Sequence, residues 1–319
     1  MFDLARLRVL NAVAGHGSLA AAAQALHLTP SAVSQQMAKL EREAGCVLAE
    51  RQGRRLRLTD EGLVLATHAQ RILAAVEEAS ADLADRQGRV LGDLTVGAFP
   101  TAARSLMPLV LAECAARYPE LRVRLREVEP YQSMARVAAG DLDVVISQDW
   151  VNVPVAVPDR LRAVDIGSDP ADVAVPVGHP MAGRDRVALA ELADSPWISS
   201  SVGTICHDWL TNTFRAAGVE PWVAHEATEF PTQLALVAAG FGVALIPRLG
   251  GEAAPAGVRL VPVEPAMHRR IFAVWREEAD RRPAVRAFVS TVREQWKLIA
   301  RGPVGVRAAD DQAREVARH

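Results

Sequence analysis

Polar side chains suited to hydrogen bonding with base edges and phosphates follow a Thr-Pro pair near the N-terminus of this 319-residue chain. The segment 29–41 opens with a threonine that can cap a helix and a proline that suits its first position. Helical spacing predicts an inner apolar face made of Ala32 or Val33, Met37, Leu40 and Ala44. The remaining face suits a helix lying in a DNA major groove, and its candidate DNA contacts are Thr29, Ser31, Ala32, Ser34, Gln35 and Lys39.

A shorter predicted helix precedes this segment and a predicted β-hairpin follows it. Ser18 can cap the first helix, the alanines at 20–23 allow close packing, and His27 with Leu28 makes the turn. Over residues 47–59, two short apolar runs flank a Gly-containing basic tip, which is typical of a hairpin. Its candidate phosphate contacts are Arg51, Arg54 and Arg55. The alternatives without a DNA-binding role are an ordinary surface helix in a small helical bundle for the helix pair, and a solvated cluster of charges for the hairpin.

The charge is distributed unevenly along the chain. Residues 1–58 hold eight Lys and Arg against four acidic side chains, a net charge of +4, whereas the whole chain carries −2. The rest of the chain therefore carries −6. A basic head on an acidic body is the asymmetry expected when only the head meets nucleic acid.

Within these sixty residues the sequence resembles the LysR-type transcriptional regulators. The resemblance rests on residues 17–19 with 22, 23 and 26, on 29–36 with 40 and 41, and on 48–51 continuing through 57–62. Two positions depart from the family pattern. Pro30-Ser31 stands where the family commonly has Gln-Pro, and Ala49 stands where it usually has a large aromatic residue. The resemblance implies a winged helix-turn-helix over residues 1–58.

The segment 59–89 is predicted to form one long linker helix. Thr59 is its cap, and Asp60 and Glu61 place negative charge at the positive end of the helix dipole. Apolar residues then recur at steps of four and three, which is a heptad seam that pairs with a second copy or packs on the chain's own body. We favour pairing, in a homodimer or homotetramer, as the resemblance also implies. The proposed dimerisation residues are Leu65, Ile72, Val76 and Leu83.

From residue 90 to 300, short apolar runs alternate with helical stretches, which favours parallel α/β sheets. Strands are predicted over 94–98, 123–128 and 143–147, for example, and helices over 103–117 and 203–217. The resemblance implies a two-subdomain α/β effector domain like that of periplasmic binding proteins. Subdomain I spans about 90–164 and 265–300, and subdomain II about 165–264. The tail 301–319 lacks periodicity and is expected to be disordered.

Ligands of open α/β sheets bind beyond the carboxyl ends of the strands, often at helix N-termini. Two strand-to-helix turns, at 99–102 and 199–204, offer hydroxyls and free N–H groups that suit a small carboxylate or similar anion. These hydroxyls could equally well only cap helices. The candidate effector contacts are Pro100, Thr101, Ser147, Ser199, Ser201, Thr204 and Phe230.

Other classes of function receive no support from the sequence. No Gly-rich dinucleotide loop follows the first strand of the body, no Gly-x-Ser-x-Gly elbow occurs, and the three cysteines form no metal-spaced pair. No apolar run is long enough to span a membrane. We therefore expect a cytoplasmic regulator, not an enzyme, without metal or cofactor, that binds double-stranded DNA and a small effector. RNA polymerase is a further candidate partner. The alternative function is that of an α/β small-molecule-binding protein or enzyme whose N-terminal helices serve only oligomerisation.

Overall fold

Three parts follow one another along the chain: a helical head, one long helix and an α/β body. They are seen in a computed structural model, which describes residues 2–52, 55–86, 89–216, 218–251 and 254–301. Within these ranges, no helix has both the length and the apolarity that a membrane-spanning segment needs. The tail predicted to be disordered lies outside them from residue 302 onward.

The head packs three helices around a small apolar core that includes Leu10, Val33 and Leu40, all fully buried. The Ser18 hydroxyl accepts a hydrogen bond from the Ala21 N–H at 3.2 Å, as predicted for the cap of the second helix. His27 takes a left-handed φ of 55° and so turns the chain between the second and third helices. The elements are α1 (Leu4–His16), α2 (Leu19–Ala25), α3 (Pro30–Ala44), β1 (Ala49–Gln52) and β2 (Arg55–Leu58), with β1 and β2 forming the predicted antiparallel hairpin.

The long helix α4 (Asp60–Arg86) begins where predicted. The Thr59 hydroxyl accepts from the Gly62 N–H at 3.0 Å and donates to the Val47 carbonyl at 2.7 Å, so one side chain ties the helix to the segment before the hairpin. A side chain on Gly62 would meet the Leu48 carbonyl oxygen at 2.0 Å, which is why a glycine stands there. Residues 87 and 88, which the sequence assigned to this helix, lie outside the described ranges.

The strands of the body are β3 (Gly92–Ala98), β4 (Leu121–Glu127), β5 (Val144–Trp150), β6 (Leu161–Pro176), β7 (Val187–Ala188), β8 (Trp197–Ser199), β9 (Val223–Glu226), β10 (Ala244–Pro247) and β11 (Val258–Arg276). Seven of them form one sheet with the order β10-β6-β11-β5-β3-β4, in which β7 also pairs with β11. The other two, β8 and β9, pair in a second, two-stranded sheet.

Helices cover the sheets and bury separate cores at the two ends of the body. The first core surrounds Phe288 and Val96, and the second surrounds Trp197 and Phe214. The long strands β6 and β11 run through both ends and so join them. The helices are α5 (Pro100–Ser105), α6 (Met107–Arg117), α7 (Pro130–Ala138), α8 (Ile205–Ala216), α9 (Phe230–Ala238), α10 (Arg248–Gly251) and α11 (Pro283–Arg301).

Two details of the body differ from the sequence prediction. The large sheet is mixed: β11 pairs antiparallel with β5 and β6, whereas β3 pairs parallel with β4 and β5, and β7 pairs parallel with β11. The helix predicted over 103–117 is two helices that meet at Leu106. Pro108 supplies no N–H to continue the ladder of hydrogen bonds from α5, so the chain starts a new helix there.

Candidate functional site

The polar face of α3 is exposed as the sequence predicts. Ser31, Ser34, Gln35 and Lys39 are exposed, whereas the buried side chains of this helix are Val33, Met37 and Leu40. Val33 rather than Ala32 therefore fills the inner position, and the predicted contact residue Ala32 is half-buried. The exposed Thr29 accepts from the Ala32 N–H at 3.2 Å, which fixes the start of the helix.

The hairpin lies beside α3 and is held to it by a residue that the sequence analysis missed. The Glu41 carboxylate accepts hydrogen bonds from the backbone N–H groups of Leu48 at 3.0 Å and Ala49 at 3.3 Å. The exposed Arg57 lies on the second strand. Of the predicted phosphate contacts, Arg54 lies outside the described residues, and so do the side chains of Arg51 and Arg55.

The proposed dimerisation residues divide into two groups along α4. Leu65 is half-buried against the core of the head, and the buried Ala66, Ala69 and Leu73 of the same helix belong to that core. Farther along, Ile72, Val76 and Leu83 keep 39%, 36% and 65% of their surface exposed. The first turns of the seam thus pack on the chain's own head, and the later turns present apolar side chains to solvent.

In the body, a cleft of about 240 Å³ opens where several helices begin. The starts of four helices border it: Pro100 of α5, Pro130 of α7, Cys206 of α8 and Phe230 of α9, which come from both ends of the body. Three of these helices, α5, α7 and α9, start without a side-chain cap among the described residues. Helix N-termini carry partial positive charge and free N–H groups, so their convergence favours an anionic group in the cleft.

Charged side chains of both signs line this cleft. Arg104 and Arg269 face it, together with Glu127, Glu129 and Glu229. Burial, followed by repulsion from Glu127, raises the pKa of the Glu129 carboxyl above its ordinary value. The cleft therefore offers partners to an anion and to a cation or hydrogen-bond donor at the same time.

Arg269 forms the floor of the cleft through a buried ion pair. Its side chain is 1% exposed and its Nε donates to Asp169 Oδ2 at 2.8 Å, while the Leu249 N–H donates to Oδ1 at 3.1 Å. The guanidinium lies over the Phe99 ring, 4.9 Å from its centroid. Burial raises the pKa of Asp169, and Arg269 opposes that rise. The ion pair fixes the position of a buried cation that the sequence analysis does not predict.

Gln148 presents an acceptor to the same cavity. The residue is 2% exposed, and its Oε1 has no hydrogen-bond partner in the described part of the chain. Its Nε2 lies 3.8 Å from the Cys206 sulfur, which also lines the cleft. A buried acceptor without a partner is costly, so this oxygen suits a ligand that brings a donor.

A hydrogen bond joins the two sides of the cleft. The Tyr131 hydroxyl, on α7, donates to Asp208 Oδ2, on α8, at 2.6 Å. Burial and this bond both raise the pKa of the tyrosine. Because the tyrosine remains 44% exposed, the bond lies toward solvent rather than in the interior.

The structure brings together four of the seven predicted effector contacts and leaves three outside. Pro100, Thr101, Thr204 and Phe230 line the cleft. Ser147, Ser199 and Ser201 do not. Ser147 bonds to the Ser133 hydroxyl at 3.2 Å, and Ser201 bonds to the Thr228 hydroxyl at 3.0 Å. Gln148 lines the cleft instead of its neighbour Ser147, since successive side chains of a strand point to opposite faces, and Ser200, just after the end of β8, lines it as well.

No group of three or more His, Cys, Asp or Glu side chains is placed to hold a metal ion within the described ranges. The head and the two-ended body, with a cleft between its ends, define a class: DNA-binding regulators with a ligand domain. The model of the bacterial regulatory helix-turn-helix proteins of the lysR family matches residues 4–63, and the LysR substrate binding domain matches residues 87–297. The chain belongs to the LysR family of transcriptional regulators.

Relatives of known name support the same assignment. The chain is 31% identical over 298 residues to a probable hydrogen peroxide-inducible genes activator of Mycobacterium avium, covering 91% of this chain and 93% of the relative. It is 30% identical over 301 residues to the hydrogen peroxide-inducible genes activator of Pectobacterium carotovorum, covering 91% and 96%.

Solved structures show the same fold. A full-length OxyR variant from Pseudomonas aeruginosa superposes with a TM-score of 0.69 at 21% identity, covering 92% of this chain and 98% of that one. A mutant of OxyR from Corynebacterium glutamicum gives a TM-score of 0.62 at 25% identity, covering 93% of each chain. The protein is thus a DNA-binding transcriptional regulator with an effector-binding domain.

Proposed function

We propose that the cleft senses a small amphoteric metabolite, one that carries a carboxylate and at least one amine or hydroxyl. The observation that carries this proposal is the mixture of groups that line one cavity. Helix N-termini with Arg104 suit the carboxylate, whereas Glu129, Glu229 and the free Gln148 acceptor suit the donor. The sequence suggests an anion, and the glutamates that line the cleft add the second requirement.

Ligand binding regulates only if one arrangement of the protein binds the ligand better than another. The cleft meets this condition because its walls come from both ends of the body. A ligand that contacts both walls favours the arrangement in which the two ends lie close together around it. In this proposal the protein is a sensor rather than a catalyst, and contact with RNA polymerase at the promoter follows DNA binding.

The test compares two substitutions that the sequence analysis treated alike. A thermal-shift screen of amino acids, hydroxy acids and dicarboxylates first identifies a compound that binds. Thr101→Val, inside the cleft, should then reduce the response of DNA binding to that compound about tenfold, the effect of one lost hydrogen bond to a charged group. Ser201→Ala, outside it, should respond like the wild type. Equal responses from both variants contradict the proposed site, and preferential binding of dicarboxylates contradicts the amphoteric class.

On DNA, we propose that α3 reads bases while the hairpin arginines bind phosphates. Replacing Arg54 and Arg55 together should weaken binding to all sequences and reduce the salt slope by about two, roughly one for each phosphate contact. An unchanged slope would remove the hairpin from the interface.

We propose that the later turns of α4 pair with a second copy. Ile72 and Leu83 support this, because apolar side chains exposed over several turns of one helix are usually covered in an oligomer. The double variant Ile72→Asp with Val76→Asp should sediment as a monomer and lose operator binding. The matched change of the exposed Val64 to Asp, nearer the head, should leave the sedimentation unchanged. A soluble double variant of wild-type size contradicts pairing through this face.

The names of the relatives suggest a second candidate, a response to hydrogen peroxide. Cys206 lines the cleft, but burial raises the pKa of its thiol, which disfavours the reactive thiolate. Cys46, Cys114 and Cys206 also lie in separate hydrophobic clusters. We therefore favour the metabolite, and expect Cys206→Ser to retain the metabolite response and peroxide to leave DNA binding unchanged.

A further inference from the structure

A second and larger cavity, of about 770 Å³, lies between the head and the body. Its walls come from α1, the turn after α2, α4, β4 and the segment after α7. The volume falls within the range of small-molecule sites, about 300–1,000 Å³. Six arginines line it: Arg8, Arg71, Arg124, Arg126, Arg160 and Arg276.

The carboxylates of this cavity offset only part of the positive charge of its six arginines. Its three carboxylates belong to Asp141, Glu277 and Glu278. Asp141 is paired with His16 at 3.0 Å, and Glu277 with Arg162 at 2.8 Å. Among the described residues, every arginine of the six except Arg276 lacks a side-chain hydrogen bond or ion pair.

The strand β4 sets two of these arginines side by side. It is an edge strand of the large sheet, and its apolar side chains Val123 and Leu125 pack on the core of the body. Side chains alternate along a strand, so Arg124 and Arg126 project together from the other face. Like charges held together in a partly enclosed space repel each other unless an anion lies between them.

We propose that this cavity binds a phosphorylated small molecule with several negative charges. Arginine is suited to this ligand because its planar guanidinium binds phosphate oxygens in a bidentate manner and never loses its charge at neutral pH. A duplex is a poorer fit than a small molecule, because no residue of α3, which carries the exposed polar face, lines the cavity.

Occupation of the cavity would act on the position of the head. His16 of α1 already touches Asp141 of the body, and a side-chain atom on Gly15 would lie 3.4 Å from Ala139. A ligand held by Arg8 and Arg71 on one wall and by Arg124 and Arg126 on the other stabilises this docked arrangement. By linkage, DNA binding then depends on the ligand whenever DNA needs the head in another position.

The experiment measures binding of inorganic tripolyphosphate and of ATP to the full-length protein by calorimetry at constant ionic strength. One saturable site per chain is expected for tripolyphosphate. Comparison with ATP shows which part of the ligand is recognised. If ATP binds more tightly than tripolyphosphate, the natural ligand is a nucleotide; if the two bind equally, only the phosphate chain is recognised. The double variant Arg124→Gln with Arg126→Gln should weaken binding by about a hundredfold, tenfold for each lost charged contact.

Arg122→Gln is the matched control, since Arg122 lies on the same face of the same strand but does not line the cavity. It should bind within about twofold of the wild type, because one distant charge is largely screened by salt. Hydrogen exchange should show that tripolyphosphate protects α1 and β4 in the same titration. Thr101→Val should bind it normally, which separates this site from the cleft. Absence of saturable binding, or an equal loss in Arg122→Gln, overturns the proposal, as does protection of β4 alone.

Discussion

The polar residues of the head and those of the cleft are held in opposite ways. On α3, Ser34, Gln35 and Lys39 project into solvent from a helix whose other side is a dry apolar core. In the cleft, Gln148 and Arg269 are themselves almost fully buried. The polar side chains on the head can thus be substituted without disturbing its core. Those of the cleft cannot, because they are themselves part of the core.

This difference suits the two kinds of ligand. A DNA duplex is large and brings its own rigid surface, so exposed side chains on a firm helix suffice to read it. A small molecule has few atoms, and its recognition depends on groups fixed in place before it arrives. Substitutions in the two regions should therefore separate stability from binding.

The largest effect is expected from Arg269→Met, which leaves the Asp169 carboxylate buried without its partner. Breaking a buried ion pair in this way costs about 3–5 kcal/mol in free energy of unfolding. Thermal or urea unfolding measures the loss. Arg162→Met is the control, since Arg162 and Glu277 are both more than half exposed and such pairs contribute about 0–1 kcal/mol. If both variants lose the same free energy of unfolding, the ion pair of the cleft contributes no more to stability than an ion pair on the surface.

Gln35→Ala should show the reverse behaviour. It should cost about 1–3 kcal/mol of binding to a preferred site selected from a random DNA library, while the melting temperature stays the same. Gln24→Ala, exposed on α2, serves as the matched control and should change neither quantity. Equal weakening on selected and random DNA would make Gln35 a backbone contact.

Glu41→Ala tests whether the head has one internal polar contact that resembles those of the cleft. The variant leaves the N–H groups of Leu48 and Ala49 without their charged acceptor, and should lose about 1.5–3 kcal/mol of stability. Because the hairpin is then free to move relative to α3, affinity for random DNA should fall as well. Glu41→Gln, which keeps the acceptor oxygen, should recover part of both losses; no recovery would contradict the role of these bonds.

The smallest effect is expected from Glu129→Gln. A carboxyl whose pKa is raised on folding holds its proton more tightly in the folded state, so at neutral pH its charge destabilises the fold. The variant should melt slightly higher than the wild type at pH 7, and the difference should shrink as the pH falls through the raised pKa. Glu226→Gln, at an exposed position on β9, should show no such trend. A difference that grows toward acid pH would reverse the sign of the argument.

The sequence was informative for the head because helical periodicity alone decides which side chains face outward. Four outward residues of α3 and the caps Ser18 and Thr29 followed from spacing and local chemistry. The one inner position in doubt was Val33, which lies next to Ala32 in sequence and differs from it by 100° around the helix.

The cleft was harder to predict because it depends on register and on distant pairing. The serines chosen at 147, 199 and 201 are each one residue away from a side chain that lines the cavity. On β5 the side chains alternate, so an error of one residue at Ser147 moves the side chain to the opposite face; at 199–201 the chain leaves β8, and the direction of each side chain depends on the path of the turn. Arg269 was missed because its partner Asp169 is a hundred residues away, on the neighbouring strand. Arg270, next to it on the same strand, remains half exposed, so the residue types alone do not tell which of the two arginines is buried.

The hydrogen bond between Tyr131 and Asp208 has a consequence for the timing of a response. It ties α7 to α8, and both helices border the cleft at their start, so a motion that parts them to admit or release a ligand must first break this bond. The barrier slows arrival and departure alike, and therefore changes how long a signal persists without changing how much ligand is needed to produce it. The affinity for the ligand then depends on the buried groups of the floor, and the duration of the response depends on a single phenol between two helices.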